Sequence, residues 1–468
     1  MTDAFELRDD HCTPVGVRVT SRGWMRPPAA AVIVVDTNYS SEVSCAHAQI
    51  PQWSIGSAWH RLPRIELKPL PRESYPQTVQ RNIGAETDMK MSPNSLEKLV
   101  MGRRNFLGGA AALGVGAGLS GCATTSNDPA TETSDISLRD QDLPFIATEE
   151  TYTTDELIAL NAINDDHVEY LKETGLAELG LGRIGAMDEA GINVQILSAH
   201  TPGVQDLAGQ EGNDFAYRLN KMIADGPMTT HPGRYQAYAT LPLQDPEASA
   251  DELERAVRED GFVGAMTNGF VGSKFLDHQD FEPVLARAEA LDVPIYLHPG
   301  FPPEEVFDIY YRIERPGYND EYQDYIFSGS GYGWHQEVLT QCLRLIMTGV
   351  FDRFPRLQMI IGHMGEGLPF YYERIVGDLG DSTEGSLNKP LGQYFSDNFW
   401  YTTSAFFQDE LLHLLLKYVS VDRVMFGTDY PFADMKEGTD WFRAVDLPRE
   451  KKEKIAFRNA EKLLGIKV

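Results

Sequence analysis

The sequence predicts a (β/α)8 barrel, and three features support that prediction. Eight short runs rich in β-branched and aromatic residues recur through residues 144–468, each bounded by turn residues. Amphipathic stretches, with apolar residues three and four positions apart, lie between the runs. No glycine-rich nucleotide loop follows the first run, although a doubly wound open sheet, the alternative architecture, would normally show one. Eight strands alternating with helices are typical of a barrel with insertions.

The predicted strands and helices follow one another in a regular order. The strands are FIATEE, NVQILSAH, YQAYATLPL, FVGAMTNG, PIYLHPG, QMIIGHMG, FWYTTSAF and VMFGTDYP. Between them, segments such as DPEASADELERAVRED and FEPVLARAEALD have helical periodicity and begin with turn or capping residues. The last segment, REKKEKIAFRNAEKLLGI, predicts a closing helix.

An insertion dense in Tyr, Phe and Gly, residues 301–335, follows the fifth strand. A loop of this length is typical of an active-site lid or of a subunit contact. Its aromatic rings could flank a planar substrate or form the core of an interface, and the sequence favours neither role. A homodimer or a larger homo-oligomer is the expected assembly.

The composition limits the classes of partner. The chain has 468 residues, 42% of them hydrophobic, which is enough for one large core or two ordinary ones. Its 69 acidic residues outnumber 41 basic ones and give a formal net charge of -28. That charge argues against nucleic-acid binding, which requires Lys and Arg to replace phosphate counterions. Only Cys342 lies in the predicted barrel, so a disulfide framework or thiolate metal cluster is not expected there.

The region before the barrel divides into three parts. Residues 1–90 lack a sustained period and are interpreted as a disordered extension or a misassigned start, with a small extra domain as the alternative. Residues 91–122 resemble a twin-arginine leader, because Arg103 and Arg104 precede a weakly apolar run too short to span a bilayer. Residues 123–143 are polar and predict a flexible tether.

The end of this leader, Leu-Ser-Gly-Cys, resembles a lipobox in which Cys122 would be lipidated. Use of the leader would place the protein in the periplasm or on a membrane through this anchor alone. The protein would stay in the cytoplasm if the leader were not used. A glycine- and alanine-rich core helix is the alternative interpretation.

Four acidic or imidazole side chains end four different predicted strands. They are Glu149, His298, His363 and Asp429. Because the carboxyl ends of barrel strands share one mouth, we expect these side chains to converge. Oxygen and imidazole ligands from distant parts of a chain suit a metal-assisted site. Each residue alone has an ordinary explanation, such as a turn carboxylate, a structural histidine or, for Glu149 beside Glu150, a surface charge.

Several segments in this order resemble a known family. The segments are ATEE, GRIGAMDEAGI, ILSAHTPGVQ, LHPG, IIGHMGEGLPF and FGTDYPF. They resemble the amidohydrolase-related branch of metal-dependent, non-oxidative aromatic acid decarboxylases, which includes the 5-carboxyvanillate and gamma-resorcylate decarboxylases. Aminocarboxymuconate semialdehyde decarboxylase is a further relative. The resemblance covers about residues 144–468 and implies a distorted (β/α)8 barrel.

The resemblance also implies a metal site. Glu149, His298 and Asp429 would ligate a divalent ion. Many members carry a second histidine two positions after the first-strand glutamate, whereas this chain has Thr151 there. Two carboxylates, one imidazole and water form an oxygen-rich set that favours Mn²⁺, with Zn²⁺ as the other candidate.

The implied chemistry is decarboxylation of an ortho-hydroxylated aromatic acid. Asp429 would deliver a proton to the ring carbon that carries the carboxylate, and His363, held by Glu366, would handle that proton. By their motif positions, Arg183 and Arg374 would contact the substrate carboxylate, with Arg374 a candidate for contact across a dimer interface. Asn268 and His200, at the ends of the fourth and second predicted strands, are candidates for lining the pocket.

The alternative function is a metal-dependent hydrolase of an ester, lactone or amide on the same site. An exported binding protein on an inactive barrel is the third hypothesis. For the two arginines, an ordinary surface or helix-end position is the alternative.

Overall fold

The computed structural model divides the chain into two compact units, Met1–Asp88 and Met89–Val468. The residues it describes are 4–6, 16–18, 140–161, 165–315 and 321–468. In the first unit, strands Ala4–Glu6 and Gly16–Arg18 pair antiparallel. The predicted leader at 91–122 and the tether up to residue 139 lie outside the described residues, and their prediction stays a prediction. No helix in the described ranges combines the length and apolarity needed to cross a membrane.

The second unit contains eight parallel strands, each hydrogen-bonded to the next in sequence order. They are β1 Phe145–Tyr152, β2 Ile192–Ala199, β3 Tyr235–Thr240, β4 Gly264–Asn268, β5 Ile295–His298, β6 Met359–Ile361, β7 Phe399–Thr402 and β8 Val424–Met425. Every strand falls within or overlaps its predicted segment. The prediction of a (β/α)8 barrel is therefore confirmed.

The first and last strands close the barrel along a short seam. The backbone N–H of Thr148 donates to the carbonyl of Phe426 at 3.0 Å, and that of Thr151 donates to Tyr430 at 2.8 Å. Between these two contacts, the N–H of Asp429 donates to the carbonyl of Glu149 at 2.9 Å. Closure of the barrel thus brings together the first and last of the predicted site residues.

Helices alternate with the strands. The α-helices are α1 Asp155–Asn161, α2 Asp165–Glu173, α3 Leu181–Ala190, α4 Gly209–Ile223, α5 Pro246–Asp260, α6 Glu282–Leu291, α7 Glu304–Tyr310, α8 Glu321–Ser328, α9 Gly333–Met347, α10 Val350–Arg353, α11 Leu368–Arg374, α12 Gly380–Ser382, α13 Leu391–Asp397, α14 Asp409–Tyr418, α15 Met435–Ala444, α16 Arg449–Glu453 and α17 Asn459–Leu464. Shorter π-helical and 3-10 turns are Ala224–Met228, Ile375–Leu379, Lys454–Arg458, Gln279–Phe281 and Val421–Arg423.

Helix α5 shows how local sequence sets these boundaries. The Asp245 side chain accepts a hydrogen bond from the Ala248 N–H, and Pro246 occupies the first turn. Gly261 ends the helix with a left-handed φ of 76°. A capping carboxylate, an early proline and a terminal glycine are the expected signals, so the predicted segment and the observed helix coincide.

Successive strand residues face two different cores. Phe145 and Ala147 of β1 join the large core, whereas Ile146 between them packs in the barrel interior with Tyr296 and Trp400. Ala460 and Leu464 of the closing helix α17 belong to the same interior cluster. The interior is therefore filled with side chains, and open space for chemistry remains at the carboxyl ends of the strands.

Candidate active site

A cavity of about 300 Å³ lies where the carboxyl ends of the strands meet. Its walls include five histidines, seven aromatic side chains and one carboxylate, that of Asp429. Neither lysine nor arginine occurs among the described residues that line it. The carboxyl ends of the strands are the usual place for the active site of a barrel, so this cavity is the candidate site.

Glu149 lies in β1 and is only 1% exposed, so the alternative that it is a surface charge is wrong. Its Oε2 accepts hydrogen bonds from the Tyr296 hydroxyl and, at 3.3 Å, from Thr402 Oγ1. Its Oε1 is buried and has no hydrogen-bond partner among the described residues. A Cβ at Gly362 would lie 2.8 Å from Oε2, so glycine is needed there to leave room for the carboxylate. A buried carboxylate oxygen without a donor is unfavourable unless a cation binds it.

Asp429 lies in the loop after β8 with a left-handed φ of 62°, which few residues other than glycine adopt. The buried Glu150 fixes this loop. It accepts from the Thr428 N–H at 2.9 Å, from the Thr428 hydroxyl at 2.7 Å and from the Tyr430 N–H at 3.3 Å. Neighbouring strand residues point to opposite faces, so Glu149 and Glu150 have separate roles. This role of Glu150 was not predicted, although the alternation of side chains along a strand was a signal for it.

His363 and Glu366 lie in a turn directly after β6, where four successive residues have φ between 48° and 86°. The His363 Nδ1 lies 2.6 Å from Glu366 Oε1, and its Nε2 lies 3.7 Å from Asp429 Oδ2. Burial lowers the pKa of His363, but the carboxylates of Glu366 and Glu149 outweigh burial and hold it well above its usual value. Burial raises the pKa of Asp429 to about 6, although the contact with His363 lowers it. The site can therefore hold protons on adjacent groups near neutral pH.

His298 ends β5 and lines the cavity. Its Nδ1 lies 2.8 Å from the carbonyl of Pro299 and 2.9 Å from Thr201 Oγ1. Because a carbonyl only accepts, the proton belongs on Nδ1, which leaves the Nε2 lone pair free among the described residues. Burial lowers the pKa of His298 and favours the neutral ring. A neutral imidazole with its other nitrogen hydrogen-bonded is the usual form of a metal-binding histidine.

Two clusters of potential ligand atoms occur among the described residues, His335 with His363 and Glu366, and a second that differs from the predicted set by one imidazole. Glu149, His363 and Asp429 each offer one ligand atom within 4.8 Å of the other two. The prediction named His298 in place of His363. His363 is already engaged, since its Nδ1 contacts Glu366 and its Nε2 faces Asp429.

His335 is a site residue that the sequence analysis did not identify. It lies in the first turn of α9 and lines the cavity. Its Nδ1 lies 2.5 Å from Glu366 Oε2, opposite the oxygen that contacts His363. One feature of the sequence could have indicated it: His335 is the one histidine within the aromatic insertion at 301–335.

Neither predicted arginine lines the cavity of this chain. Arg183 is fully buried, with Nε 2.8 Å from Gln195 Oε1 and Nη1 2.8 Å from the carbonyl of Thr151. Its guanidinium lies over the Tyr430 ring at 4.8 Å, so it braces β1 and the loop after β8. Arg374 is 79% exposed and pairs with Asp378 of the π-helical turn that follows its helix. A contact of Arg374 across a subunit interface stays a prediction.

The other two candidate substrate contacts, Asn268 and His200, differ in whether they line the cavity. Asn268 is buried, and its Oδ1 accepts from Thr201 Oγ1 at 2.9 Å, which places it behind the cavity lining. His200 does line the cavity, with its ring 5.9 Å from that of Phe432. His200 is therefore the one member of the predicted substrate set that faces the open space.

The aromatic insertion forms one wall of the cavity. A chain of ring contacts runs from His298 to Trp334 at 5.8 Å, from Trp334 to Phe301 at 5.2 Å, and from Phe301 to Tyr325 at 4.8 Å. The insertion thus belongs to the candidate site. Its role as a subunit contact stays a prediction. The 79% exposed side chain of Ile309 in α7 is an apolar group of the insertion that such a contact would cover.

Comparison with known proteins places the chain in a family. The amidohydrolase family pattern matches residues 179–466. Decarboxylase orsB of Emericella nidulans is 38% identical over 338 residues, which cover 69% of this chain and 97% of that protein. Gamma-resorcylate decarboxylase of Polaromonas sp. is 34% identical over 333 residues, which cover 69% of this chain and 98% of that protein.

Solved structures show the same architecture. The dihydroxybenzoic acid decarboxylase of Polaromonas sp., with bound manganese and the inhibitor 2-nitroresorcinol, is 33% identical with a TM-score of 0.62, covering 69% of this chain and 97% of that one. The 5-carboxyvanillate decarboxylase of Novosphingobium aromaticivorans, with manganese and 4-hydroxy-3-methoxy-5-nitrobenzoic acid, is 28% identical with a TM-score of 0.63, covering 70% and 97%. Since the family pattern spans more than half of the sequence, the chain belongs to the amidohydrolase family.

Proposed function

We propose that this protein is a non-oxidative, divalent-metal-dependent decarboxylase of ortho-hydroxylated aromatic carboxylic acids. The main observation is the contact of His363 with both Asp429 and Glu366 at the mouth of a cavity with aromatic walls. Relatives at 34% and 38% identity, named as decarboxylases, support the proposal.

The metal ligands that we propose are Glu149, His298 and Asp429. The partnerless Oε1 of Glu149 and the free Nε2 of His298 are atoms that a cation would satisfy. A divalent ion bound there would act as a Lewis acid, orienting a phenol with an adjacent carboxylate and favouring the phenolate. The oxygen-rich donor set, with Thr151 where a further histidine is common, favours Mn²⁺. The relatives' structures with manganese support this choice.

Proton transfer is the task of Asp429, His363 and Glu366. Asp429 would donate its proton to the ring carbon that carries the carboxylate. The bond from that carbon to the carboxylate then breaks, its electron pair returns to the ring, and CO₂ leaves. His363 lies 3.7 Å from Asp429 and can return a proton to it, while Glu366 holds Nδ1 of the His363 ring. Each turnover consumes one proton and needs no oxidant.

The cavity wall restricts how the substrate carboxylate is bound. Because no lysine or arginine lines the described cavity, the acid group would meet imidazoles and the bound cation, rather than the predicted Arg183. The rings of Phe301, Trp334 and Phe406 supply apolar surface for the aromatic part of the substrate.

The test is a substrate screen with the whole chain loaded with Mn²⁺. We expect release of CO₂ from ortho-hydroxybenzoates and no hydrolysis of matched phenolic esters. Asp429→Asn should abolish turnover while the circular dichroism spectrum stays unchanged, and the exposed Asp381→Asn should keep full activity. Ester hydrolysis without CO₂ release, or turnover that survives Asp429→Asn, would overturn the proposal.

A further inference from the structure

His335 lies beside the proton-handling pair of His363 and Glu366, and it contacts the Glu366 oxygen that His363 leaves free. The Glu366 carboxylate is buried, and each of its oxygens faces one imidazole: Oε1 contacts His363 Nδ1 at 2.6 Å and Oε2 contacts His335 Nδ1 at 2.5 Å. The two rings lie 5.2 Å apart at 72° and share the ring of Phe406 as a neighbour. Each oxygen of the carboxylate is therefore bonded to one histidine, His363 from the turn after β6 and His335 from α9.

Both nitrogens of His335 are already engaged within the chain. Nε2 lies 3.1 Å from the carbonyl of Ser330, which can only accept, so this nitrogen donates. Nδ1 faces the Glu366 carboxylate, which as an anion also only accepts, so in this arrangement the His335 ring carries a hydrogen on each nitrogen and donates from both. Although the ring lines the cavity, it has no free nitrogen to offer a substrate. Its effect on the reaction must pass through Glu366.

Glu366 depends on this second donor for its position. Without His335, Oε2 would be a buried acceptor with no other donor among the described residues. A carboxylate held at one oxygen can rotate about its last torsion, and His363 Nδ1 is bonded to the oxygen that would move. The orientation of the His363 ring toward Asp429, 3.7 Å away, rests on that bond.

We propose that His335 is a positioning residue for the decarboxylation: by donating to Oε2 of Glu366, it fixes the carboxylate that orients His363 toward Asp429. The inference rests on the proposed function. It also gives the aromatic insertion a second role, because the contact of His335 with Ser330 ties this segment to the proton-handling pair.

Two conservative substitutions separate the two contacts of the ring. In His335→Asn the side-chain amide N–H₂ stands near the position of Nδ1 and can still donate to Glu366. In His335→Gln the amide reaches toward the position of Nε2 and can donate only to Ser330. We expect His335→Gln and His335→Phe to lower kcat by about 10- to 100-fold with KM and bound Mn²⁺ unchanged, as for other outer partners of a metal site. His335→Asn should recover most of kcat.

A double-mutant cycle tests the route through Glu366. In a Glu366→Leu background, which has no acceptor at this position, His335→Phe should lower kcat no further, because the contact is already lost. The exposed His413→Phe is the matched control and should leave kcat unchanged. Equal activities of the Asn and Gln variants, additive losses in the cycle, or a change confined to KM would overturn the proposal.

An NMR measurement keeps the inference separate from the proposed function. The wild-type chain should show two strongly deshielded imidazole N–H protons, one from each histidine bonded to Glu366. His335→Phe should remove one and shift the other, and Glu366→Leu, which leaves neither imidazole an acceptor, should remove both. If no substrate is turned over but these signals behave as stated, the decarboxylase proposal fails and the positioning contact stands. If turnover occurs and the His363 signal is unmoved by His335→Phe, the positioning role is overturned.

Discussion

The two ends of the barrel differ in how their residues are held. At the amino-terminal end, Ala460 and Leu464 of α17 pack into the apolar interior cluster. At the carboxyl-terminal end, five histidines and Asp429 line one cavity, and the carboxylates of Glu149 and Glu366 are buried beside it. Of the six non-glycine residues with positive φ in the described chain, five belong to this end, namely His363, Met364, Glu366, Ala405 and Asp429. Left-handed backbone conformations are thus concentrated at the mouth, beside the candidate site, while the packing of α17 at the opposite end stabilises the fold.

The largest effect that we expect comes from one added methyl group at the mouth. In Gly362→Ala, the new Cβ would lie 2.8 Å from Glu149 Oε2 and 2.9 Å from the Tyr296 hydroxyl, so the carboxylate must move. We expect Mn²⁺ to be lost and kcat/KM to fall by at least about 100-fold, measured by metal analysis and CO₂ release. Gly385→Ala, where a Cβ meets nothing within 4 Å, is a control for metal content, although its φ of 78° adds local strain. Retention of metal by Gly362→Ala would contradict the tight fit around Glu149.

At the opposite end we expect a loss of stability without a loss of function. Leu464→Ala removes a 7% exposed side chain from the interior cluster. Because a cavity remains, the free energy of unfolding should fall by about 2–5 kcal/mol in urea denaturation. The kcat at 25 °C should stay at the wild-type value. A drop in kcat in the folded variant would contradict the view that this end stabilises the fold without affecting the active site.

The pH dependence of stability tests the charge on Glu366. Burial raises its pKa, but His363 and the hydrogen bond from His335 outweigh burial and lower it from 4.5 to about 2. The folded pKa lies below the unfolded one, so the stabilisation is present above pH 4.5 and is lost as the pH falls toward 2; at full effect it amounts to about 3 kcal/mol.

Urea denaturation at several pH values measures this contribution. The difference in unfolding free energy between wild type and Glu366→Gln should be largest above pH 5 and should shrink at lower pH. The exposed Glu373→Gln should show no such trend. A difference that does not vary with pH would mean that the folded chain holds Glu366 protonated.

The smallest effect that we expect is a difference in Mn²⁺ affinity between variants of two buried tyrosines in the barrel interior. Tyr296 donates to Glu149, whereas the buried Tyr238 hydroxyl has no hydrogen-bond partner within the described part of the chain. Tyr296→Phe should weaken Mn²⁺ binding by about 10- to 100-fold, read by metal titration. Tyr238→Phe should leave metal affinity unchanged and stability equal or higher, because it removes an unpaired polar group. Equal metal affinities of the two variants would show that the Tyr296 hydroxyl does not organise Glu149.

The predicted elements and the observed ones agree because both depend on local pattern. Segment FIATEE became β1 and DPEASADELERAVRED became α5, each with the expected boundary residues. The closing segment is observed as α16, a π-helical turn and α17 in succession. Period and capping are short-range properties that a sequence displays directly.

The arginines and Glu150 show where pattern alone misleads. Arg183 occupies a motif position, yet it is fully buried outside the cavity lining, and its Nε and Nη1 donate to Gln195 and to the carbonyl of Thr151. Glu150 resembles a second surface charge but holds Thr428 and Tyr430 from across the barrel seam. Whether a charged group is free to bind a ligand depends on partners that are distant in sequence.

By itself, the sequence determined that this chain forms a barrel and that Glu149, His298, His363 and Asp429 lie at its strand ends, because strand periodicity and parallel topology leave one shared mouth for such residues. Tertiary structure alone decided which atoms remain available. It showed Glu149 Oε1 without a donor, placed His335 on the second oxygen of Glu366, and turned His363 toward Asp429. These are matters of side-chain orientation and hydrogen-bond partners, which depend on contacts between remote segments and therefore leave no local pattern in the sequence.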